Sequence, residues 1–73
     1  MNSPGWTEHD SSHLKRSKYN TLDRTLDVQF SNGSVYRYHG VTPGAHKAFL
    51  DAPSQGGHFH EFIKENHVCT QIK

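Results

Sequence analysis

The sequence is poor in cysteine and in apolar residues, and these two shortages limit what the chain can be. Cys69 is the only cysteine among 73 residues, which excludes an intramolecular disulfide and a zinc site built from several cysteines. Only 32% of the residues are hydrophobic, and no apolar run is long enough to span a bilayer. The first residues also lack the basic and apolar regions of a signal peptide, so we expect a cytoplasmic protein without membrane contact.

Charge and cofactor motifs are also sparse. The formal net charge is only +1, so the chain is not a strongly basic nucleic-acid binder, although Lys15, Arg16 and Lys18 form a local basic cluster. There is no P-loop and no glycine pattern for dinucleotide binding. A chain of this length supports one small core, so we expect a single domain over residues 11–73 and a disordered or loosely docked tail over residues 1–10.

Residues 24–41 predict a β-hairpin around which the rest of the chain is organised. Residues 26–30 alternate between apolar and polar side chains, which is the period of a half-buried strand. Asn32-Gly33 is a strong hairpin signal, because both residues tolerate a positive φ. The returning strand, residues 35–39, is rich in aromatic and β-branched side chains, which favour strands.

The register of this hairpin decides where Tyr36 and Tyr38 point, and the sequence leaves two alternatives. A two-residue Asn32-Gly33 loop places both tyrosines on the face opposite to Val28 and Phe30. A three-residue loop with a bulge places Phe30 opposite Tyr36 and Val28 opposite Tyr38, so that both tyrosines line the core. Turn propensity favours the first alternative. Burial slightly favours the second, because the first puts basic side chains on the apolar face.

The flanking segments predict two helices and two more strands. Residues 11–19 form a weak first strand, and residues 68–72 alternate as a last one. Thr42-Pro43 is typical of a helix start, and an apolar stripe at positions 45, 48, 49 and 52 follows before Pro53 ends that helix. Ser54 caps a second helix with apolar positions 59, 62 and 63. The predicted order β-β-β-α-α-β indicates an α+β fold, with a small antiparallel sheet and two helices packed on one face.

Seven histidines raise the question of a metal site, but their spacing does not support one. His58 and His60 are two residues apart and would point in different directions on a helix. His67 and Cys69 share one side of a strand, yet a domain this small offers little of the pocket and oxyanion hole that a nucleophile needs. We therefore predict no metal, no cofactor, no catalytic residue and no enzymatic activity.

The interleaving of aromatic and basic residues at positions 36–39 is the best functional signal in the chain. Aromatic rings on a sheet stack on unpaired bases, while arginine and lysine bind phosphates. Tyrosines of a central strand are also common in cores, so the pattern alone fits both interpretations. The candidate nucleic-acid-binding residues are Lys15, Arg16, Lys18, Tyr19, Tyr36, Arg37, Tyr38 and His39.

The chain resembles the KTSC domain family in a set of spaced features, which are NGSVYRYHGV at residues 32–41, Pro43, Phe49-Leu50, Ala52-Pro53-Ser54, Gly56-Gly57, Phe59 and Ile63. That family is named for its occurrence at the C-terminus of some lysyl-tRNA synthetases and also occurs as free-standing small bacterial proteins. The resemblance covers about residues 11–72. His60 departs from it, since asparagine is usual there, and residues 67–70 lack a common tyrosine. The resemblance implies an association with RNA.

We therefore expect a protein that binds RNA, single-stranded rather than duplex, and DNA less well. The tyrosines of the candidate set would stack on bases and its basic residues would contact phosphates. If the register turns the tyrosines inward, the basic residues and His39 on the other face become the contact surface instead. The alternative is a protein–protein interaction or dimerisation module, and a homodimer is compatible with both functions. Steep salt dependence would distinguish phosphate binding from apolar docking.

Overall fold

The computed structural model describes residues 5–9 and 11–73 and contains a five-stranded antiparallel sheet with two helices. The strands lie in the sheet in the order in which they occur along the chain. The elements are β1 (Thr7–Glu8), β2 (Leu14–Asn20), β3 (Thr25–Phe30), β4 (Val35–His39), α1 (Pro43–Asp51), α2 (Gln55–His58), which continues into a π-helical segment (Phe59–Lys64), and β5 (Cys69–Gln71). Neither helical element within these residues has the length and apolarity that a bilayer span requires.

The predicted α+β fold is confirmed, and the structure adds one strand to it. Thr7 and Glu8 pair with Ser17 and Arg16, at the edge of the sheet beside β2. Residues 7–9, which the sequence analysis assigned to the tail, therefore lie against the sheet, while residues 1–4 and 10 lie outside the described part of the chain. Sequence patterns missed β1 because a two-residue edge strand has no apolar periodicity of its own.

The hairpin between β3 and β4 has a three-residue loop. Phe30 donates its N–H to the carbonyl of Ser34 and accepts from Gly33, at 2.9 Å in both cases. Gly33 has a φ of +95°, which fits a turn followed by a left-handed glycine bulge. The alternative with a two-residue loop is therefore wrong.

The pairing of the hairpin strands differs by two residues from the preferred alternative but leaves its faces unchanged. Val28 lies opposite Tyr36, and Leu26 lies opposite Tyr38. The predicted pairing of Val28 with Tyr38 was wrong because Phe30 pairs with Ser34, so that only residues 31–33 form the loop. A shift of two residues keeps every side chain on its face. Both tyrosines therefore point toward the helices, as the preferred alternative expected.

The core lies between one face of the sheet and the helices. Leu26 and Val28 on β3 pack with Phe49 of α1 and with Phe59 and Ile63 of the π-helical segment, and none of the five is more than 2% exposed. Burial of side chains of this size contributes about 1.5–3 kcal/mol each. The cluster also contains Leu14, Tyr38 and Val41.

The helix starts follow the predicted capping. Thr42 Oγ1 accepts from the N–H of Ala45 at 3.1 Å, and Ser54 Oγ accepts from Gly57 at 3.3 Å. The predicted apolar stripe of the second helix is only partly buried, since Phe62 is 52% exposed. The wider π-helical turn keeps Phe59 and Ile63 on the core side and rotates Phe62 away from it.

His9 attaches the first residues of the described chain to the rest of the domain. Its ring lies between two polar side chains, with Nε2 2.6 Å from Ser17 Oγ and Nδ1 2.7 Å from Gln55 Oε1. Gln55 in turn donates to the carbonyl of Leu50 at 2.9 Å. Ser17 is only 1% exposed, so this network satisfies a buried hydroxyl. It also links the edge of the sheet to the start of α2.

The hairpin loop allows a direct stability test. We expect Gly33→Ala to lower the free energy of unfolding by about 1–2 kcal/mol, because a left-handed conformation is costly for any residue with a Cβ. Urea denaturation followed by circular dichroism measures the change. Gly44→Ala, in α1 with open space around the added methyl group, is the matched control and should be neutral or stabilising. Equal effects of the two substitutions would contradict the assigned loop conformation.

Candidate nucleic-acid interface

The face of the sheet turned away from the helices, which we call the open face, collects most of the predicted basic residues. The register places Lys18, Asp27 and Arg37 side by side on β2, β3 and β4. Arg16 lies beside Gln29 in the next row, and His39 lies beside Thr25 on the other side. Neighbours across antiparallel strands have Cβ atoms about 4.5–5.5 Å apart, so these polar side chains form one continuous surface.

An ion pair lies at the centre of the open face. Arg37 Nε donates to Asp27 Oδ1 at 2.8 Å, and its Nη2 donates to Oδ2 at 3.0 Å. The side chain of Asp27 is 13% exposed and that of Arg37 is 43% exposed. The hydrogen bond to Asp27 and the charge of that carboxylate raise the pKa of Arg37. The two-point contact holds the guanidinium plane in a fixed orientation.

Arg16 is held in place by several contacts. Its Nε donates to Gln29 Oε1 at 2.6 Å, and its guanidinium lies over the ring of Trp6, 4.5 Å from the centroid. Gln29 is oriented by its own bond to the carbonyl of Gly33 at 3.3 Å. The result is an arginine and an indole, each half-buried, stacked at one side of the open face.

The remaining basic candidates are exposed, but they do not all join this surface. Lys18 is exposed in the row that contains Asp27. His39 Nε2 lies 3.1 Å from Thr70 Oγ1 of β5. Lys15 lies at the bulge between Leu14 and Arg16, outside the regular pairing of β2 with β3, so the register does not assign it to the open face.

The three predicted tyrosines lie on the helix face. Tyr38 is 2% exposed, so the prediction that it stacks on a base is wrong; its burial, with a smaller effect of Cys69, raises its pKa to about 12. Tyr36 is half-buried against Phe30, with ring centroids 5.7 Å apart. Tyr19 donates its hydroxyl to the carbonyl of Val41 at 2.5 Å. For Tyr36 and Tyr38 the three-residue loop is the physical reason, because it sets which side chains of β4 face the core.

Comparison with known proteins identifies the family. The sequence model of the KTSC domain matches residues 10–67. The chain belongs to the KTSC domain family. Its fold is similar to the crystal structure of a KTSC domain protein from Yersinia pestis, with a TM-score of 0.86 and 33% identity, covering 93% of this chain and 96% of that one.

Two curated relatives contain a segment that is similar to this KTSC domain. It is 40% identical over 63 residues to the lysine–tRNA ligase of Nostoc punctiforme, a match that covers 86% of this chain but only 11% of the ligase. It is also 40% identical over 57 residues to an uncharacterized protein of Stutzerimonas stutzeri, covering 78% of this chain and 80% of that protein. The resemblance to the family is thereby confirmed.

Three residues of the open face were not among the predicted candidates. Asp27 and Gln29 orient the two arginines, and Trp6 stacks on one of them. The alternation in β3 did indicate that Asp27 and Gln29 share the polar side, but their partners depend on the register. Within the described residues, no three histidine, cysteine, aspartate or glutamate side chains are grouped so that they could hold a metal.

The ion pair predicts a stability cost in the KTSC domain when Arg37 is removed. We expect Arg37→Ala to lower the free energy of unfolding by about 1–3 kcal/mol, because it leaves the largely buried carboxylate of Asp27 without its partner. Denaturant titration of Arg37→Ala, Asp27→Asn and the double variant measures the coupling. The double variant should recover part of the loss. Strictly additive effects would contradict a coupled pair.

His46 predicts a dependence of stability on pH. Its ring stacks on Tyr19, with centroids 4.3 Å apart, and burial, with a smaller contribution from the charge of His9, lowers its pKa. The unfolded chain therefore takes up a proton first as the pH falls below about 6.5, and the free energy of unfolding decreases. We expect His46→Gln to reduce this decrease in urea titrations between about pH 8 and pH 5. His60→Gln, at an exposed site, is the control, and a wild-type slope in His46→Gln would contradict the assignment.

Proposed function

We propose that this KTSC domain is a cytoplasmic RNA-binding module that holds single-stranded RNA on the open face of its sheet. The observation that carries the proposal is the row in which Lys18 and Arg37 flank Asp27, with Arg16 in the adjacent row. Phosphate contacts from arginine and lysine position a nucleic acid on a protein surface. The cations lie on β2 and β4, on either side of β3, so that a single-stranded backbone lying across the sheet would reach both.

The carboxylates on this face are compatible with an anionic ligand. Arg16, Lys18 and Arg37 supply three permanent cations against Glu8 and Asp27, which leaves one positive charge in excess. The carboxylate of Asp27 is already bound by Arg37. Arg37 uses two of its five N–H donors in that contact, so three remain for a phosphate oxygen.

The tyrosines lie on the other face of the sheet, so the aromatic part of the open face is the stacked pair of Arg16 and Trp6. Base stacking on aromatic or guanidinium planes is the usual way in which proteins hold unpaired nucleotides. A stack of this kind favours single strands, whose bases are available, over duplexes, whose bases are paired. Duplex-reading motifs instead place a helix in the major groove, and here the helices pack on the opposite face of the sheet.

The relatives add an association to this geometry. Lysine–tRNA ligases that contain a matching segment are enzymes named for an RNA substrate. The segment spans 11% of those enzymes, so their ligase activity is not carried over to this chain. We propose that the KTSC domain contributes RNA contact and no catalysis of its own.

Anisotropy titration tests this proposal with labelled single-stranded RNA, duplex RNA and single-stranded DNA at low and moderate salt. We expect the tightest binding to single-stranded RNA, with an affinity that falls steeply as salt rises, because phosphate contacts release counterions. Lys18→Gln should weaken binding and reduce the salt slope by about one. This variant is preferred to Arg37→Ala, which also loses the ion pair with Asp27.

Lys47→Gln is the matched control, since it removes one exposed cation from α1, on the other face of the sheet. It should bind RNA like the wild type. No binding of any nucleic acid at low salt would overturn the proposal. Equal losses in the Lys18→Gln and Lys47→Gln variants would show a response to net charge rather than a site on the open face.

The second candidate is a protein-interaction or dimerisation module, and the last strand favours it. All three residues of β5 are exposed, and its outer edge has no partner strand among the described residues. Val68 and Ile72, which flank the strand, are 76% and 43% exposed. An unpaired edge bordered by apolar side chains can accept another strand. Sedimentation of the free protein, which reports a dimer directly, and salt-insensitive association with a protein partner would favour this candidate.

A further inference from the structure

A cleft of about 630 Å³ lies on the helix side of the sheet, apart from the open face. It is bounded by the start of β2, the end of β3, and the helical element formed by α2 and the π-helical segment. Its volume is within the range of about 300–1,000 Å³ that is usual for small-molecule sites. None of the residues that the RNA proposal uses lines it.

The floor of the cleft is aromatic. Phe30 and Phe59 meet edge to face, with ring centroids 5.6 Å apart and an angle of 63° between their planes. Phe30 is half-buried, so part of its ring faces the cleft rather than the core. Gly56 and Gly57 form one wall of the cleft. A flat apolar group can therefore lie against Phe30.

The rim of the cleft is cationic and rich in hydrogen-bond donors. His60 and Lys64 are four residues apart on the π-helical segment and both line the cleft, while His13 lines it from the strand side. Within residues 5–9 and 11–73, Lys64 forms no ion pair. An ammonium group and two imidazoles around one opening offer at least three N–H donors.

We propose that this cleft binds a small phosphate monoester that carries an aromatic ring, such as a mononucleotide, with the ring against Phe30 and the phosphate at Lys64. The terminal oxygens of a phosphate monoester would accept hydrogen bonds from the three donor groups of the rim, and the aromatic ring of the ligand would pack against the floor. This site does not rest on the proposed binding of RNA, because it uses different residues on the other side of the sheet.

The test is a ¹H–¹⁵N correlation titration of the full chain with adenosine 5′-monophosphate, phenyl phosphate, adenosine and inorganic phosphate. The amide signals of Gly56 and Gly57 report occupancy of the cleft. We expect saturable shifts with both aromatic phosphates and much weaker responses to adenosine or inorganic phosphate alone. Binding of adenosine 5′-monophosphate but not of phenyl phosphate would assign the site to nucleotides, and equal binding of both would assign it to aromatic phosphates in general.

The Lys64→Gln variant distinguishes binding in the cleft from binding on the open face. It removes one exposed charge and should weaken adenosine 5′-monophosphate about tenfold, the loss expected for a charge-assisted hydrogen bond. Lys18→Gln, on the open face, should leave that affinity unchanged. The proposal would be overturned by the absence of saturable shifts at millimolar ligand, by equal affinity for inorganic phosphate alone, or by wild-type affinity in Lys64→Gln. Each outcome leaves the RNA titration unaffected.

Discussion

The left-handed conformation of Gly33 is the constraint on which both faces of the sheet depend. It closes a three-residue loop on Phe30 and Ser34, and this closure sets the pairing of β3 with β4. A loop shorter by one residue would move every side chain of β4 to the opposite face. Tyr38 would then leave the core, and Arg37 would enter it beside Phe59. The conformation of one glycine thus determines which side chains of β4 lie on the apolar face under the helices and which lie on the polar face with the ion pair.

The fold was largely predictable because its signals are local. The caps at Thr42 and Ser54 need only the residues within one helical turn, and the structure places both as expected. The exact register of the hairpin was not predictable, because Asn32-Gly33 suits either a two-residue turn or the end of a bulged loop. The strand Thr7–Glu8 was missed because two residues carry no pattern of their own. The contacts of the neighbouring His9 are with Ser17, nearby in sequence, and with Gln55, far from it.

The candidate interface was predictable in composition but not in arrangement. The basic residues of β2 and β4 could be chosen from sequence, and Arg16, Lys18 and Arg37 do lie together. The pairing between strands determines which side chain neutralises or orients each of these basic residues. Asp27 forms its ion pair with Arg37, and Gln29 its hydrogen bond with Arg16, only because the strands pair in this register. Tyr38 was wrong as a stacking candidate for the same reason, since an alternating pattern does not indicate which of its two sides is covered.

The order of strands in the sheet, which is their order in the chain, has a consequence for how the domain assembles. Each strand from β2 to β4 pairs with the strand immediately before it in the chain, so these pairings require little loop closure. Folds dominated by such short-range contacts have low contact order and reach their native state quickly. Only β5 must wait for both helices before it reaches β4. During synthesis, the surface that carries the ion pair can therefore form while the helices that cover its reverse side are still emerging.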